Sequence, residues 1–227
     1  MWRDDSKSST TSHGSTVGGA GDLPTIYDLK PRFQARLRPL ADRLAKAGVT
    51  ANGVTLAALV LSLAHGAWLA LAPDSRWPFL LLPVTLFLRM ALNAIDGMMA
   101  REHGMKSPEG AVLNELGDVI SDAALYLPFA FVAGVNAPLV VLVVILGIVG
   151  EMAGALGPLL GATRRYDGPF GKSDRAFAFG LLGFLIGVGL TPGMWTTVIL
   201  AVLLALSALT ILNRARSIVT EAKARTP

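Results

Sequence analysis

Six apolar runs dominate this chain of 227 residues, and each is close to the roughly 20 residues that a helix needs to cross a lipid bilayer. Hydrophobic residues make up 52% of the sequence and charged residues only 16%, which excludes an ordinary soluble domain. We therefore predict an all-α integral membrane protein with six transmembrane helices, near residues 53–72, 78–100, 112–133, 137–160, 175–191 and 194–213.

A basic amphipathic segment precedes the first apolar run. Its apolar residues recur at steps of three and four and trace one stripe on a helix, while basic residues occupy the other faces. Such a helix lies in the membrane interface, and Pro31 and Pro39 are expected to bend or interrupt it. Gly48 is expected to end it, and Thr50 or Asn52 to cap the next helix. The stripe comprises Ile26, Leu29, Phe33, Leu37, Leu40 and Leu44.

These patterns divide the chain into four segments. Residues 1–24 are rich in Ser, Thr and Gly and predict a disordered tail. Residues 25–47 form the interfacial helix, residues 48–214 the six-helix membrane domain, and residues 215–227 a cytoplasmic tail.

Basic residues alternate between the connections of the six runs. They gather in the interfacial segment, after the second run, between the fourth and fifth runs, and in the C-terminal tail, whereas the connections near 134–136 and 191–193 carry no charge. The positive-inside rule then predicts that both termini and the connection after the second run are cytoplasmic. The net charge of +4 indicates contact with anionic membrane lipids and no nucleic-acid partner.

The types of residue present limit the chemistry. The sequence has no cysteine, which excludes disulfides, thiolate catalysis and cysteine-bound metals. Its three histidines, His13, His65 and His103, are far apart along the chain and form no ligand cluster. Carboxylates are therefore the candidate metal ligands.

Polar residues mark the hairpin between the second and third runs. On helices, Asn93 and Asp96 share one face of the incoming run, and Asn114 and Asp118 share one face of the outgoing run, with Asp122 near its edge. The short connection makes these helices antiparallel neighbours, so both polar faces lie at the same end. Carboxylates and amides inside a membrane predict either a hard-cation site or a polar network that joins the helices.

Two charged residues lie deeper in the apolar runs. Arg89 is about 18 Å below the cytoplasmic end of the second run, at 1.5 Å per residue, and needs a partner there. Glu151, in the fourth run, is the carboxylate without an assigned partner. We predict either an Arg89–Glu151 ion pair or a role for these residues in lining a substrate cavity.

The connection between the fourth and fifth runs is basic and contains glycine turns. Arg and Lys side chains beside such turns predict a phosphate or anion pocket. The positive-inside rule alone would also place basic residues here, so both interpretations stay open. The residues concerned are Arg164, Arg165, Lys172 and Arg175.

The hairpin also resembles a known family. The family signature is Asp-x2-Asp-Gly-x2-Ala-Arg-x8-Gly-x3-Asp-x3-Asp, and the resemblance, to the CDP-alcohol phosphotransferases, extends from about Ile26 to Arg216. The chain departs from the signature because Asn93 and Asn114 stand at its first and third aspartates, as in an uncharacterised enterobacterial branch of the family. The matching residues are Asp96, Gly97, Ala100, Arg101, Gly110 and Asp118.

The resemblance implies an activity and a setting. A CDP-linked lipid, typically CDP-diacylglycerol, would give its phosphatidyl group to an alcohol and release CMP, in phospholipid biosynthesis. The enzyme would be a homodimer in the bacterial inner membrane with a cytoplasmic active site. Gly171-Lys172 is similar to a Gly-Lys in family members that use phosphorylated acceptors, such as glycerol phosphate or inositol phosphate.

The resemblance also implies roles for residues. Asp118 would be the catalytic base, and one or two Mg²⁺ or Mn²⁺ ions would be held by ligands drawn from Asp96, Asp118, Asn93, Asn114 and Asp122. The nucleotide would lie against Asn52, Asp96, Gly97, Ala100, Arg101 and Gly110. The acceptor phosphate would meet Arg164, Arg165, Lys172 and Arg175.

The two asparagines weaken a two-metal site, because an amide oxygen can ligate a cation but brings no charge. Three outcomes follow: an enzyme with one tightly held ion and a second supplied mainly by the substrate diphosphate, a site in which Asp122 or Glu115 replaces the lost charge, or a degenerate member that binds a CDP-lipid without turnover. A small transporter is disfavoured, because the sequence shows no internal repeat and the polar cluster lies near one membrane face.

Overall fold

A computed structural model describes residues 26–225, with side chains described from Phe33 onward. Within this range the chain forms seven α-helices and two short 3₁₀ segments, Leu127–Phe131 and Gly157–Leu160, and no strand. The predicted disordered tail, residues 1–24, lies outside the described residues. The helices are α1 Ile26–Lys46, α2 Ala51–Leu71, α3 Arg76–Glu102, α4 Pro108–Tyr126, α5 Ala137–Ala155, α6 Lys172–Gly187 and α7 Met194–Arg225.

The helices α2 to α7 follow the six predicted runs, but only part of the span count is confirmed. Four described segments are long and apolar enough to cross a membrane, namely α2, α3, residues 137–160 and α7. Helix α4 carries four carboxylates along its length, and α6 has 16 residues, or about 24 Å. The chain is thus an all-helical membrane protein, and six spans stay a prediction.

The packing places α2 and α3 at the centre of the hairpin region. Helix α2 packs against α3 and α4, α3 also packs against α6 and α1, and α5 packs against α7. Aromatic rings fill the middle of the bundle: Tyr126 and Phe179 stack with ring centroids 4.2 Å apart, and Phe129 meets Phe79 and Phe179 edge-on. These contacts join α3, α4 and α6 below the polar end of the hairpin.

Large apolar side chains also cover the outside of the bundle. A soluble monomer rarely exposes contiguous apolar surface on this scale, whereas a membrane protein presents it to lipid. The exposed residues include Leu56, Val60, Leu63, Val84, Phe87, Leu88, Ile145, Val198, Val202 and Leu209.

Helix α1 lies against the end of α3. Ala41 is buried in a small cluster with Ile95, Met98 and Met99. Arg38 forms an ion pair of 2.9 Å with Glu102, and this hydrogen bond raises the pKa of the Arg38 guanidinium. The helix continues through the two prolines that were expected to bend or interrupt it. Its position in the membrane interface stays a prediction.

The expected helix ends are confirmed at the start of the bundle. Gly48 adopts a positive φ of 81° just after α1, the conformation that glycine favours after a helix C-terminus. Thr50 caps α2, since its Oγ1 accepts a hydrogen bond of 3.1 Å from the backbone N–H of Gly53. Ser107 caps α4 in the same way, with Pro108 in the first turn.

Close contact between α2 and α4 yields a stability prediction. A Cβ at Gly66 would overlap the backbone carbonyl of Ala124, whereas a Cβ at Gly117, also within a helix, would meet nothing within 4 Å. We expect Gly66→Ala to lower the free energy of unfolding by about 1–3 kcal/mol, because the helices must separate. Gly117→Ala is the matched control. Thermal unfolding in detergent measures both, and equal melting temperatures would contradict the close approach.

Candidate functional site

The polar residues of α3 and α4 pair reciprocally across the hairpin. Asn93 on α3 donates a hydrogen bond of 2.9 Å to Oδ1 of Asp118 on α4. Asn114 on α4 donates one of 3.4 Å to Oδ2 of Asp96 on α3. Each asparagine therefore satisfies the aspartate on the opposite helix. The structure brings these four predicted residues together at one end of the hairpin.

Asp96 forms no ion pair with any of the described residues. It is buried, and its Oδ2 accepts a hydrogen bond of 2.7 Å from the hydroxyl of Thr55 on α2. The same hydroxyl oxygen lies 3.1 Å from the backbone carbonyl oxygen of Ala51, one turn earlier on α2. The donors around Asp96 are thus a hydroxyl and an amide, and neither cancels its charge.

Asp118 lies among cations. Its Oδ1 accepts the Asn93 amide and also faces Arg89 at 3.3 Å, while the ammonium of Lys172 at the start of α6 forms an ion pair with the same oxygen. Arg89 donates a second hydrogen bond of 3.0 Å to the backbone carbonyl of Asp118. The two aspartates of the site therefore differ in kind, because only Asp118 has positively charged partners.

The predicted Arg89–Glu151 pair is wrong. Arg89 contacts Oδ1 of Asp122 at 2.6 Å, and Glu151 contacts Arg175 at 2.9 Å. The physical reason is that Arg175 lies inside the bundle on α6, where it separates the two predicted partners and bonds to both carboxylates, reaching Oδ2 of Asp122 at 3.1 Å. In the sequence, Arg175 looks like one more basic residue of the connection between the fourth and fifth runs. That pattern does not predict that its side chain is buried.

A buried chain of ion pairs results. It runs from Arg89 on α3 through Asp122 on α4 and Arg175 on α6 to Glu151 on α5, and Arg214 on α7 lies 3.5 Å from Glu151. Arg214 also donates to the backbone carbonyl of Gly150 at 2.6 Å and to that of Asp167 at 3.1 Å. Nothing in the sequence marks Arg214, because basic residues after a last apolar run are expected whatever the function.

The four predicted phosphate-binding residues do not form one open cluster. Arg164 pairs with Glu115 on α4, and Arg165 pairs with Glu221 on α7 at 2.6 Å. Lys172 faces Asp118, as described above, and Arg175 is 4% exposed within the ion-pair chain. Each of the four therefore already has a carboxylate partner, and Arg164, Arg165 and Lys172 keep between a quarter and a third of their side chains exposed.

The predicted nucleotide-binding residues lie close together beyond the aspartates. A Cβ at Gly110 would overlap Oδ1 of Asn52, so the backbone of α4 and this amide are in direct contact. A Cβ at Gly97 would lie 3.1 Å from the guanidinium of the exposed Arg101. Ala100, on the next turn of α3, packs against the cluster beneath α1. The glycines at this end of the hairpin therefore allow the side chains of Asn52 and Arg101 to lie against the helix backbones.

The donor set fits a hard cation but limits its ligands. Within residues 33–225, no three histidine or carboxylate side chains lie close enough together to hold a metal ion by themselves. Asp96 and Asp118 with the amide oxygens of Asn93 and Asn114 supply oxygen ligands of the kind that Mg²⁺ and Mn²⁺ prefer. Asp122 has an arginine at each carboxylate oxygen.

An apolar groove opens beside this site, between α3 and α6. Its volume is about 510 Å³. Its polar end is formed by Arg89, Asn93, Lys172 and Ser173, and three of these, Arg89, Asn93 and Lys172, contact Asp118 directly. The apolar walls comprise Pro83, Leu86, Phe87, Met90, Ala176, Phe177, Gly180, Leu181 and Phe184. The sequence did not reveal the groove, because its lining residues are ordinary members of two apolar runs.

Comparison with known proteins identifies the family to which the chain is similar. Residues 48–212 match the family model described as CDP-alcohol phosphatidyltransferase, which is more than half of the chain. The chain is 49% identical over 194 residues to the inner membrane protein YnbA of Escherichia coli (strain K12), covering 86% of this chain and 96% of that protein. It is 33% identical over 152 residues to archaetidylinositol phosphate synthase of Aeropyrum pernix, covering 66% and 75% respectively.

Solved structures of similar fold come from Mycobacterium tuberculosis. Phosphatidylinositol phosphate synthase with CDP-DAG bound superposes with a TM-score of 0.69 at 22% identity, covering 83% of this chain and 96% of that one. The same enzyme in complex with manganese and citrate gives a TM-score of 0.69 and covers 91% of that chain. At this identity the likeness shows the shared fold.

The ion-pair chain predicts a large cost for removing its central carboxylate. We expect Asp122→Asn to lower the free energy of unfolding by about 3–5 kcal/mol, because it leaves Arg89 and Arg175 buried without their shared counter-charge. The matched control is Glu102→Gln, which breaks the exposed pair with Arg38 and should cost far less, because solvent screens that pair. Thermal unfolding in detergent compares them. Equal losses would show that the buried chain adds little stability.

Proposed function

Because the chain belongs to the CDP-alcohol phosphatidyltransferase family, we propose that it moves a phosphatidyl group from a CDP-linked lipid to an alcohol acceptor and releases CMP. The observation that carries the proposal is the position of the Asp96–Asp118 site at the polar end of the apolar groove. Such an arrangement suits a donor with a charged head and apolar tails, since the tails stay in an apolar setting while the diphosphate meets the polar residues.

The groove supports a lipid donor, for which CDP-diacylglycerol is the proposed form. Its walls between Pro83 and Phe184 are apolar over most of their length, and Lys172 and Ser173 lie at the start of α6 beside its polar end. A lysine and a helix N-terminus together favour an anionic group at this point. The proposed orientation therefore directs the diphosphate toward Asp118 and the acyl chains along α3 and α6.

The proposed chemistry assigns a task to each aspartate. Asp96 and Asp118, with the amide oxygens of Asn93 and Asn114, would hold a divalent cation, Mg²⁺ or Mn²⁺. When bound, such a cation neutralises charge on the transferring phosphate. Asp118 would accept the proton of the acceptor hydroxyl. The acceptor oxygen forms a bond to the phosphatidyl phosphorus, the bond from that phosphorus to the CMP oxygen breaks, and CMP departs.

The nucleotide is proposed to lie at the open end of the hairpin. There the amide of Asn52 contacts the backbone of Gly110, and the guanidinium of Arg101 lies close to Gly97. Arg101 is exposed at the same end and supplies a positive charge beside the departing CMP. The basic connections of the chain favour a cytoplasmic position for this end, with both termini on the same side.

For the acceptor we propose a phosphorylated alcohol, such as glycerol phosphate or inositol phosphate. Arg164 and Arg165 support this, because they are partly exposed and could exchange Glu115 and Glu221 for a phosphate group. Arg175 is proposed to act structurally, since it is buried in the ion-pair chain. The homodimer implied by the resemblance stays a prediction.

A second candidate function is binding of a CDP-lipid without turnover. One observation favours it: Lys172, Arg89 and Asn93 all contact Oδ1 of Asp118, so this oxygen is already occupied and an acceptor hydroxyl would have to displace one of them. The two candidates differ in whether CMP is released, because both expect the donor to bind.

CMP release by the purified protein tests the proposed reaction. With CDP-diacylglycerol, Mn²⁺ or Mg²⁺ and a panel of phosphorylated and unphosphorylated alcohols, we expect release that requires the metal and one acceptor. Asp118→Asn should lower the rate by about 10²-fold or more, because the proton acceptor is lost. Asp74→Asn, an exposed carboxylate in the α2–α3 connection, is the control. Donor binding without release from any acceptor would favour the second candidate.

Filling the groove tests the donor site separately. Ala176 lines the groove and is half-buried, so we expect Ala176→Phe to raise the KM for the CDP-lipid about tenfold while leaving the affinity for free CDP unchanged. Leu209→Phe adds similar volume to an exposed position on α7 and should change neither value. An unchanged KM in Ala176→Phe would place the acyl chains elsewhere.

A further inference from the structure

We propose that the ammonium of Lys172 takes the place of a second divalent cation in this site, so that the chain holds a single divalent ion. The inference rests on the proposed function in assuming that the Asp96–Asp118 site binds a divalent cation. It adds the number of ions, the side of the site on which the ion binds, and a role for Lys172.

The count of charges limits how many ions the site can hold. A site with aspartates at positions 93, 96, 114 and 118 would carry four negative charges, enough to balance two divalent ions. In this chain Asn93 and Asn114 are neutral, so Asp96 and Asp118 supply two charges. An amide oxygen can complete a coordination shell but does not offset the repulsion between two closely spaced cations. Two negative charges can balance one divalent ion at most, and Asp118 already forms an ion pair with Lys172.

The hydrogen bonds then divide the site into two halves. Asp96 receives only neutral donors, the hydroxyl of Thr55 at 2.7 Å and the amide of Asn114 at 3.4 Å. Asp118 receives the amide of Asn93 and two cations, Arg89 and Lys172, at the same oxygen. Among the described residues no cation forms an ion pair with Asp96, and Lys172 acts on it only from a longer distance. The Asp96 half therefore keeps more negative charge for a metal than the Asp118 half, which forms ion pairs with two cations.

Of the two cations at Asp118, Lys172 is the one that has Asp118 as its main partner. Arg89 makes its shorter contact, 2.6 Å, with Asp122, so its charge is largely balanced within the buried ion-pair chain. Lys172 forms its ion pair with Asp118 and is about one-third exposed at the mouth of the groove. An ammonium on a flexible four-carbon stem is a compact point charge that can approach a carboxylate much as a small cation does.

Binding of Mn²⁺ to the purified full chain in detergent tests the proposal without turnover. Titration followed by electron paramagnetic resonance should give one bound ion per chain. Lys172→Met should bind that ion about tenfold more tightly, because a positive charge near the metal is removed. Lys106→Met, which removes an exposed charge from the α3–α4 connection, should match the parent protein. If Lys172→Met does not fold, Lys172→Gln serves the same comparison.

The double variant Asn93→Asp with Asn114→Asp completes the test. We expect it to bind two Mn²⁺ ions per chain, because it restores two negative charges to the hairpin. Two ions or none in the parent protein, an unchanged affinity when Lys172 is replaced, or a single ion in the double variant would each overturn the proposal.

The metal titration separates this inference from the proposed reaction. One ion in the parent protein and tighter binding on loss of Lys172, without CMP release from any acceptor, would leave the inference standing and remove the transferase. CMP release by a parent protein that binds two ions would support the proposed transferase and overturn the inference about Lys172.

Discussion

The position of Asp122 between two guanidinium groups is the interaction on which the rest of the site depends. Arg89 and Arg175 come from different helices, α3 and α6, and both are almost fully buried. Guanidinium groups at such depth in an apolar bundle need a counter-charge, and a carboxylate that meets one arginine with each oxygen supplies it to both. Glu151 and Arg214 extend the same arrangement to α5 and α7.

This buried chain also positions the chemistry above it. Arg89 bonds to Asp122 with one nitrogen and to the carbonyl and carboxylate of Asp118 with the other, so the helical turn between these two aspartates is held at both ends. The site is therefore layered. The buried ion-pair chain lies at the bottom, the two amide–carboxylate pairs lie above it, and the contact between Asn52 and Gly110 lies at the end of the hairpin. The apolar groove meets this stack from the side, at the level of Asn93.

Helix length, capping residues and helical spacing depend on nearby residues only, and these features of the structure were predictable from the sequence. The lengths of the apolar runs predicted the positions of the helices. Gly48 predicted the end of α1, and Thr50 predicted the cap of α2. Helical spacing in a short hairpin predicted that the two asparagines and two aspartates of the site meet. Partners between distant helices were not predictable. Arg175 reaches Asp122 because α6 packs against α3, and that packing involves glycines and apolar residues that periodicity alone does not distinguish.

The reciprocal amide–carboxylate pairing has a consequence for how such a hairpin can change over generations. Replacing either asparagine alone with aspartate would put two like charges on facing helices, while the other half of the site kept its neutral partner. A variant with three aspartates would therefore have one pair of facing carboxylates and one amide–carboxylate pair. Such a hairpin would need a bound cation to offset the repulsion between the facing carboxylates. The two positions are therefore physically coupled, because each sets the charge that faces the aspartate on the opposite helix.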